Sequence, residues 1–264
     1  MRTLGLIRRA RATSAFSVLE MLVSVTLLAV IIFGLLTMFY QTQRAFRQGS
    51  AQVDIQEGGR SVMEMVTAEL QQITPTLQVG EVNIYASNAF PVLVQPRPAG
   101  GAPQRNLIQD TFFLTRLNDN WVGTGYIVDA PLGDVGTLYR YVTTEPLTDA
   151  AKLPADFQIA IKSFPTNWGH VADRVLDFQL SPYDSFGRLS TNVVNSEFVY
   201  TNHPADRVPA YLDLELGILE PRTFEQYRGL TNINPARAHT YLEQHVDKVQ
   251  IFRQRVPIRT ATVP

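Results

Sequence analysis

The sequence contains no cysteine, has only three lysines, and leaves residues 21–43 without a single charged side chain. Without cysteine there is no disulfide framework, thiolate metal site or cysteine nucleophile. With Lys152, Lys162 and Lys248 as its only lysines, the chain lacks the clustered cations that neutralise phosphates, so we expect no nucleic-acid partner. A composition of 45% hydrophobic and 18% charged residues over 264 positions excludes a disordered tail and a multi-span transporter.

Charge is distributed unevenly along the chain. Residues 1–15 contain four arginines and no acid. Removing these four from the 23 basic residues leaves 19 against 24 acids in the remainder. The near-neutral total therefore conceals a basic amino-terminal segment and a mildly acidic body.

An apolar stretch follows the basic segment. Of the 20 residues from Met21 to Tyr40, 16 are apolar, and four small or hydroxyl residues interrupt them: Ser24, Thr26, Gly34 and Thr37. Twenty helical residues reach about 30 Å, which matches the hydrocarbon core of a bilayer. No small-residue cleavage site follows Tyr40, so we expect the stretch to remain in the product. The arginines predict a cytoplasmic amino terminus and a body on the opposite side.

One acid lies at the entry of this stretch. Glu20 inside a membrane helix costs about 2–3 kcal/mol and therefore needs a partner. A cut between Ala15 and Phe16 creates an α-amino group four residues before Glu20, one helical turn away. An ion pair about 4 Å apart at an effective dielectric of 20 gains about 4 kcal/mol before desolvation. The amine can pair equally with Glu20 of a neighbouring copy, and the other interpretation is an interfacial glutamate of an ordinary anchor.

The residues Ala15-Phe16-Ser17-Val18-Leu19-Glu20-Met21-Leu22-Val23 resemble the cleavage and methylation signal of type IV prepilins and type II secretion pseudopilins. The resemblance covers about the first 45 residues. It implies that a prepilin peptidase cuts between Ala15 and Phe16 and methylates the new amine of Phe16. It also implies that Glu20, fifth after the cut, is the assembly residue. The family normally has glycine before the cut, where this sequence has Ala15.

A helical pattern continues beyond the apolar stretch. Apolar residues recur first at intervals of seven and then at steps of four, four and three: Phe39, Phe46 and Val53, followed by Val62, Val66, Leu70 and Ile73. Glu57, Arg60 and Glu64 have the spacing of helical ion pairs. The pattern predicts one helix from Phe16 to about Ile73, with a kink or short break at Gly58-Gly59.

From Val79 onward the pattern changes to short apolar or alternating runs between turn residues. Strands are predicted at Pro91–Gln95, Thr111–Leu117, Thr137–Thr144, Gln158–Phe164, Arg174–Leu180, Ala210–Leu219 and Lys248–Val256. Helices are predicted at Pro221–Tyr227 and Arg237–His245, and loops at 96–103 and 181–202. In two strands one face is apolar, formed by Leu212, Leu214, Leu216 and Ile218, and by Leu176, Phe178 and Leu180 opposite Asp177 and Gln179.

Together with the resemblance, these elements imply four regions: a basic leader at 1–15, a transmembrane and filament-core helix at 16–40, an amphipathic helical stem at 41–73, and a β-rich periplasmic head at 74–264. The predicted fold class is α+β, a long amino-terminal helix packed on an antiparallel β-rich head. The order of pieces is similar to the minor pseudopilin J and minor pilin W groups. This similarity rests on Gln56-Glu57-Gly58-Gly59-Arg60 and on the strands around Val175–Leu180 and Val208–Leu214, and it implies a pilin-like fold.

Catalytic and metal-binding patterns are mostly missing from the sequence. There is no G-x-S-x-G, G-x-x-x-x-G-K-[ST], H-E-x-x-H or G-x-G-x-x-G motif. We therefore expect no catalytic residue, cofactor or metal, with calcium at the turns 118–120 or 184–187 as an open alternative. Surface or capping roles are expected for the four histidines, His170, His203, His239 and His245. Trp121 and Trp168 are expected to pack in the core or at its rim.

The leading functional hypothesis is a non-enzymatic, tip-associated minor subunit of a type IV pilus or a type II secretion pseudopilus. Its expected partners are the prepilin peptidase, other pilin or pseudopilin subunits and the bacterial inner membrane. It would be a single-pass protein with its head in the periplasm before assembly. One alternative is an anchored periplasmic binding protein that never assembles, and another is a tethered hydrolase, which would need a histidine and carboxylates in one pocket.

Overall fold

The computed structural model describes residues 17–97, 100–165, 167–190, 193–203 and 207–261. The architecture is α+β, with a long apolar amino-terminal helix and a large antiparallel sheet, as the sequence predicts. The chain divides into two compact units, Met1–Ser50 and Ala51–Pro264, and the division falls within the first helix.

The described residues form four α-helices: α1 (Val18–Leu70), α2 (Leu153–Lys162), α3 (Pro221–Thr231) and α4 (Pro235–Glu243). The strands are β1 (Val82–Asn88), β2 (Leu93–Gln95), β3 (Gln104–Asn106), β4 (Gln109–Leu117), β5 (Asn120–Asp129), β6 (Gly136–Pro146), β7 (Gly169–Tyr183), β8 (Phe198–Thr201), β9 (Tyr211–Leu219) and β10 (Val249–Pro257). Short 3-10 helices lie at Ala150–Lys152, Val246–Lys248 and Arg259–Ala261.

Eight strands form one antiparallel sheet in the order β10-β9-β7-β6-β5-β4-β1-β8, and β2 pairs with β3 separately. Strands consecutive in sequence pair from β4 to β7; the connections from β4 to β5 and from β5 to β6 are short, whereas the connection from β6 to β7 contains α2. At the β4–β5 turn, Asn118 adopts a positive φ of 54°, which asparagine tolerates better than most residues. Both faces of the sheet are covered in part, which gives three apolar clusters.

The carboxyl-terminal part of α1 packs on one face of the sheet. Its apolar repeat at Val62, Val66, Leu70 and Ile73 is buried, as the spacing predicts. Leu212, Leu214, Leu216 and Ile218 of β9 join the same cluster. The helix ends at Leu70 instead of Ile73, because Ile73 pairs with Thr115 at the sheet and the Thr74 N–H donates to the Leu114 carbonyl.

A polar clamp fixes this part of α1 against the sheet. The Tyr126 hydroxyl donates to Glu69 Oε2 at 2.5 Å, and Arg140 Nη2 lies 2.6 Å from Glu69 Oε1. Tyr126 is fully buried, and its burial, together with the charge of Glu69, raises its pKa. The phenol therefore remains protonated and available as a donor at physiological pH.

Of the kink or short break predicted at Gly58-Gly59, the break is wrong, because α1 continues through both residues, and the kink stays a prediction. A Cβ placed on Gly59 would lie 2.2 Å from Cε2 of Phe252 on β10, whereas a Cβ on Gly58 would meet nothing within 4 Å. Gly59 thus makes room for an aromatic ring at the helix–sheet contact. The cost of glycine inside a helix is offset here by packing.

We expect Gly59→Ala to lower the free energy of unfolding by about 1–3 kcal/mol, the usual cost of overpacking a core contact. Gly58→Ala, its neighbour on the open side, is expected to raise stability by about 0.5–1 kcal/mol through helix propensity. Urea denaturation of the full chain in detergent, followed by tryptophan fluorescence, measures both. Equal effects of the two substitutions would contradict the packing role of Gly59.

The predicted strand at Gln158–Phe164 is also wrong, since most of it belongs to helix α2. Leu153, Phe157 and Ala160 are buried at steps of four and three, which is the helical and not the strand period. Pro154 lies in the first turn of the helix, where its missing N–H costs nothing. The short apolar run Ile159-Ala160-Ile161 is typical of a strand, but only Ala160 of the three residues is buried.

Strand β7 departs from the predicted alternation at a bulge between Val175 and Asp177. The bulge places Leu176 in the cluster below α3 and α4, while Phe178 remains in the α1 cluster. Asp177, expected on an exposed face, is fully buried, and its Oδ1 accepts from the Leu107 N–H at 2.9 Å. The predicted loop 181–202 likewise contains the end of β7 and the short strand β8.

The other predicted strands are confirmed with shifted ends, and the two predicted helices near the carboxyl terminus correspond to α3 and α4. Strands β1, β3 and β5 were not predicted, and in β5 the glycines Gly123 and Gly125 weaken the strand pattern. In the structure a Cβ on Gly125 would lie 2.1 Å from Cε2 of Phe157. This glycine therefore lets α2 approach the sheet closely.

Candidate functional site

The candidate site is the amino-terminal part of α1, where an apolar surface is combined with a single acid. Its large apolar side chains from Val18 to Tyr40 are all exposed. An 18-residue window of α1 reaches a mean hydropathy of 2.6 with none of its residues buried. This one helix is long and apolar enough to cross a membrane. A surface of this kind requires lipid or other protein around it.

Ser17 and Glu20 form the start of the helix. The Ser17 carbonyl accepts from the Met21 N–H at 3.1 Å, and Ser17 Oγ accepts from the Glu20 N–H at 3.3 Å. Ser17 is therefore the N-cap, and Glu20 has the third helical position of an S-x-x-E capping signature. A negative charge in the first turn is also favoured by the helix dipole. The sequence contains this signature, although the two interpretations given for Glu20 were an ion-pair partner and an interfacial glutamate, and neither was a capping residue.

The hydroxyl groups within the apolar stretch are bonded to the helix backbone. Ser24 Oγ donates to the Glu20 carbonyl at 2.8 Å, Thr26 Oγ1 donates to the Val23 carbonyl at 2.8 Å, and Thr37 donates to the Phe33 carbonyl. Such internal bonds remove the cost of exposing these groups to hydrocarbon. Glu20 is consequently the one charged side chain between Ser17 and Gln43 that the surroundings must accommodate.

The other predicted site residues, Ala15 and Phe16, lie outside the described residues. Their predicted cleavage and methylation stay predictions. Glu20 lies in the first turn of α1 and is exposed, so its side chain is accessible to a partner.

The histidines of the head have surface positions. His239 Nδ1 lies 3.0 Å from Asp134 Oδ2 and its Nε2 lies 3.7 Å from Glu243 Oε1, with the imidazole 45% exposed. His170 forms an exposed pair with Asp173 at 3.0 Å, and His245 Nδ1 lies 2.7 Å from the Tyr241 carbonyl. Within the residues that the structure describes, no three His, Asp or Glu side chains are grouped so that they could hold a metal ion.

The two turns considered for calcium have structural roles. Asp184 Oδ1 accepts from the backbone N–H groups of Phe186 at 2.9 Å and Arg188 at 2.8 Å, which closes an Asx turn. Asn118 forms the turn between β4 and β5. Turn formation, the commoner use of such residues, is confirmed at both places.

Both tryptophans pack as predicted. Trp121 is 2% exposed, and Trp168 lies 5.2 Å from the Tyr141 ring and 5.8 Å from the Phe157 ring, measured between centroids. The Trp168 indole N–H also donates to the Ala160 carbonyl at 3.3 Å. This aromatic cluster fixes α2 on the sheet.

Two carboxyl groups of the head have perturbed pKa values. Burial raises the pKa of Asp110 to about 6. Burial raises the pKa of Asp177 well above its usual range, and the neighbouring charge of Glu215 adds to this effect. The carboxylates paired with His170 and His239 are those of Asp173, Asp134 and Glu243, and His245 bonds to the Tyr241 carbonyl. Both shifts therefore follow from packing in the sheet, the commonest source of such shifts in a core.

Comparison with protein-family models, curated proteins and solved structures found no match for this chain.

Proposed function

We propose that this protein is a minor, tip-associated subunit of a type IV pilus or a type II secretion pseudopilus and has no enzymatic activity. The observation that carries the proposal is the start of α1. An exposed apolar helix surface begins at a serine cap, contains one acid in its first turn, and belongs to a helix that later packs on a large sheet. An ionisable residue beside a membrane-spanning stretch is costly and by default functional, which supports a subunit that pairs with its neighbours over a plain anchor.

In the proposed mechanism the arginine-rich leader holds the precursor terminus in the cytoplasm. A prepilin peptidase cuts between Ala15 and Phe16 and methylates the amine of Phe16. Glu20 then pairs with the terminal amine of a neighbouring subunit as the chain leaves the bilayer. The pair neutralises both charges within an apolar surrounding and sets the stagger between adjacent helices.

The apolar side chains between Val18 and Tyr40 supply the packing force. In the bilayer they contact lipid, and in a filament they contact the same surface of other subunits, so they stay out of water in both states. The head lies in the periplasm at first and then on the outside of the fibre. An eight-stranded head is large for a shaft subunit, which supports a position at the tip.

Mass spectrometry of the amino terminus tests this proposal. Arg11 and Arg44 are consecutive basic residues, so trypsin releases a peptide that begins at Ala12 from an unprocessed chain. We expect instead a peptide that begins at Phe16 and carries one added methyl group. A peptide beginning at Ala12 would favour the alternative function, an anchored periplasmic protein that does not assemble.

A further inference from the structure

A polar depression lies on the sheet face opposite α1. Two adjoining cavities of about 420 and 380 Å³ share Gln179, Glu215 and Arg253 and together form what we call the arginine trough. Its floor is strands β7, β9 and β10, and its rim is the segment before β4. The trough further includes Arg97, Arg105, Ser181, Tyr183, Asp213 and Arg255.

The charges of the trough are only partly balanced. Arg253 Nη2 lies 2.6 Å from Glu215 Oε1, and Arg255 makes two bonds with Asp213 at 2.7 and 2.8 Å. Arg97 and Arg105 are exposed, and neither has an acidic partner within the described ranges. The trough therefore has an excess of two positive charges on a body that is acidic overall. Such an excess attracts an anionic ligand.

The contacts of Arg255 with two tyrosine rings make the trough less suited to a saccharide. The Arg255 guanidinium carbon lies 4.6 Å from the ring centroid of Tyr183 and 5.9 Å from that of Tyr211. The arginine thus occupies the ring faces on which a sugar would otherwise stack. The structure favours a peptide over an anionic saccharide for this reason.

The rim of the trough is held in place from below. The Leu107 N–H donates at 2.9 Å to Asp177, a fully buried side chain beneath the trough, and the Leu180 N–H donates to Gln109 Oε1 at 2.8 Å. These bonds fix the segment that contains Arg105 relative to β7. A preformed site of this kind loses little entropy when it binds a ligand.

We propose that the arginine trough binds an extended peptide segment rich in aspartate or glutamate. The planar guanidinium groups of Arg97 and Arg105 pair with its carboxylates, a geometry that favours two parallel hydrogen bonds. Gln179 and Ser181 along the floor hydrogen-bond its backbone. The proposal is independent of assembly into a filament, because the trough belongs entirely to the head.

Fluorescence anisotropy of labelled hexaglutamate with the full chain in nonionic detergent tests the inference at about 0.15 M salt, where the Debye length is about 8 Å and charges outside the site are largely screened. The double substitution Arg97→Glu and Arg105→Glu is expected to weaken binding at least tenfold. Its matched control is Arg222→Glu with Arg237→Glu, which changes the net charge equally at two exposed positions of α3 and α4. The control pair is expected to bind within about twofold of the unchanged chain, since screened charges outside the site act weakly.

Three outcomes would overturn the proposal. The first is that the unchanged chain does not bind hexaglutamate. The second is that both double variants lose affinity equally, which would indicate a general charge effect. The third is that labelled oligogalacturonate, an anionic saccharide, binds as tightly as hexaglutamate. Circular dichroism of both double variants must match that of the unchanged chain. If the Arg97→Glu and Arg105→Glu double variant misfolds, the single variants Arg97→Gln and Arg105→Gln replace it.

Discussion

Replacing Glu20 by glutamine or alanine is expected to reduce incorporation of the chain into filaments or tip complexes at least tenfold. In the proposed function the Glu20 carboxylate pairs with a neighbour's terminal amine, an interaction of about 4 kcal/mol before desolvation. A tenfold effect needs only about 1.4 kcal/mol of that energy. The measurement compares the variant's share in sheared fibres or co-purified subunits with its share in the membrane fraction. Glu20→Asp keeps the charge and should retain part of the assembly.

The capping geometry supplies controls that separate charge from helix stability. Glutamine serves at the third position of a capping box almost as well as glutamate, so Glu20→Gln removes the charge and leaves the cap. Ser17→Ala does the reverse, because it removes the cap at a cost of about 1 kcal/mol and leaves the charge. We expect Ser17→Ala to assemble nearly normally. If Glu20→Gln assembled normally and Ser17→Ala did not, the role of Glu20 would be capping and the proposed ion pair would be wrong.

Phe157→Ala is expected to lower the free energy of unfolding of the head by about 3–5 kcal/mol, the usual cost of removing a buried phenylalanine. The ring is fully buried, with its centroid 5.3 Å from that of Phe112 and 5.8 Å from that of Trp168. Removing it takes away the contact that holds α2 on the sheet. Urea denaturation followed by tryptophan fluorescence measures the loss, since one of the two tryptophans, Trp168, lies against the Phe157 ring.

Ile159→Ala is the matched control on the same helix. Ile159 is 62% exposed on the opposite side of α2, so its truncation should change stability by less than about 0.5 kcal/mol. The pair also discriminates between the two structures considered for this segment. If the strand predicted from Gln158 were extended back by one residue, residues 157 and 159 would share a face and have similar effects. Equal losses in the two variants would therefore contradict helix α2.

The periodic features of the fold can be predicted from the sequence, because they depend on the spacing of neighbouring residues. The stripe of Val62, Val66 and Leu70 is a property of one helix, and its burial follows from the helical period alone. The same holds for the apolar face of β9, where Leu212 and Leu214 alternate with Asp213. Neither prediction needs knowledge of the partner element.

The features that escaped prediction depend on contacts between distant segments. Gly59 suggests a break until Phe252 is known to lie against it, and Gly125 weakens the strand pattern of β5 until Phe157 is known to lie against it. Asp177 was expected on an exposed face, because a bulge cannot be recognised from the alternation of residues. The backbone N–H that its carboxylate accepts from belongs to Leu107, 70 residues away. In each case the fold supplies a neighbour that overrides the local pattern.

The candidate site could be predicted from the sequence, and the arginine trough could not, for the same reason. Glu20 is conspicuous in the sequence, since it is the one acid beside an uncharged stretch of membrane-spanning length. The trough could not be predicted, because Arg105 and Arg253 are almost 150 residues apart and meet only through the order of strands in the sheet. A local motif is visible before folding, and a surface assembled from several strands is not.

The most direct test of the account is the mass of the amino-terminal tryptic peptide from cells that contain the prepilin peptidase and from cells that lack it. Because no basic residue lies between Arg11 and Arg44, the peptide reports the processed end without ambiguity. The account predicts a singly methylated peptide beginning at Phe16 in the first case and one beginning at Ala12 in the second. A peptide beginning at Ala12 in both would contradict processing at Ala15-Phe16 and, with it, the proposed role of the new amine.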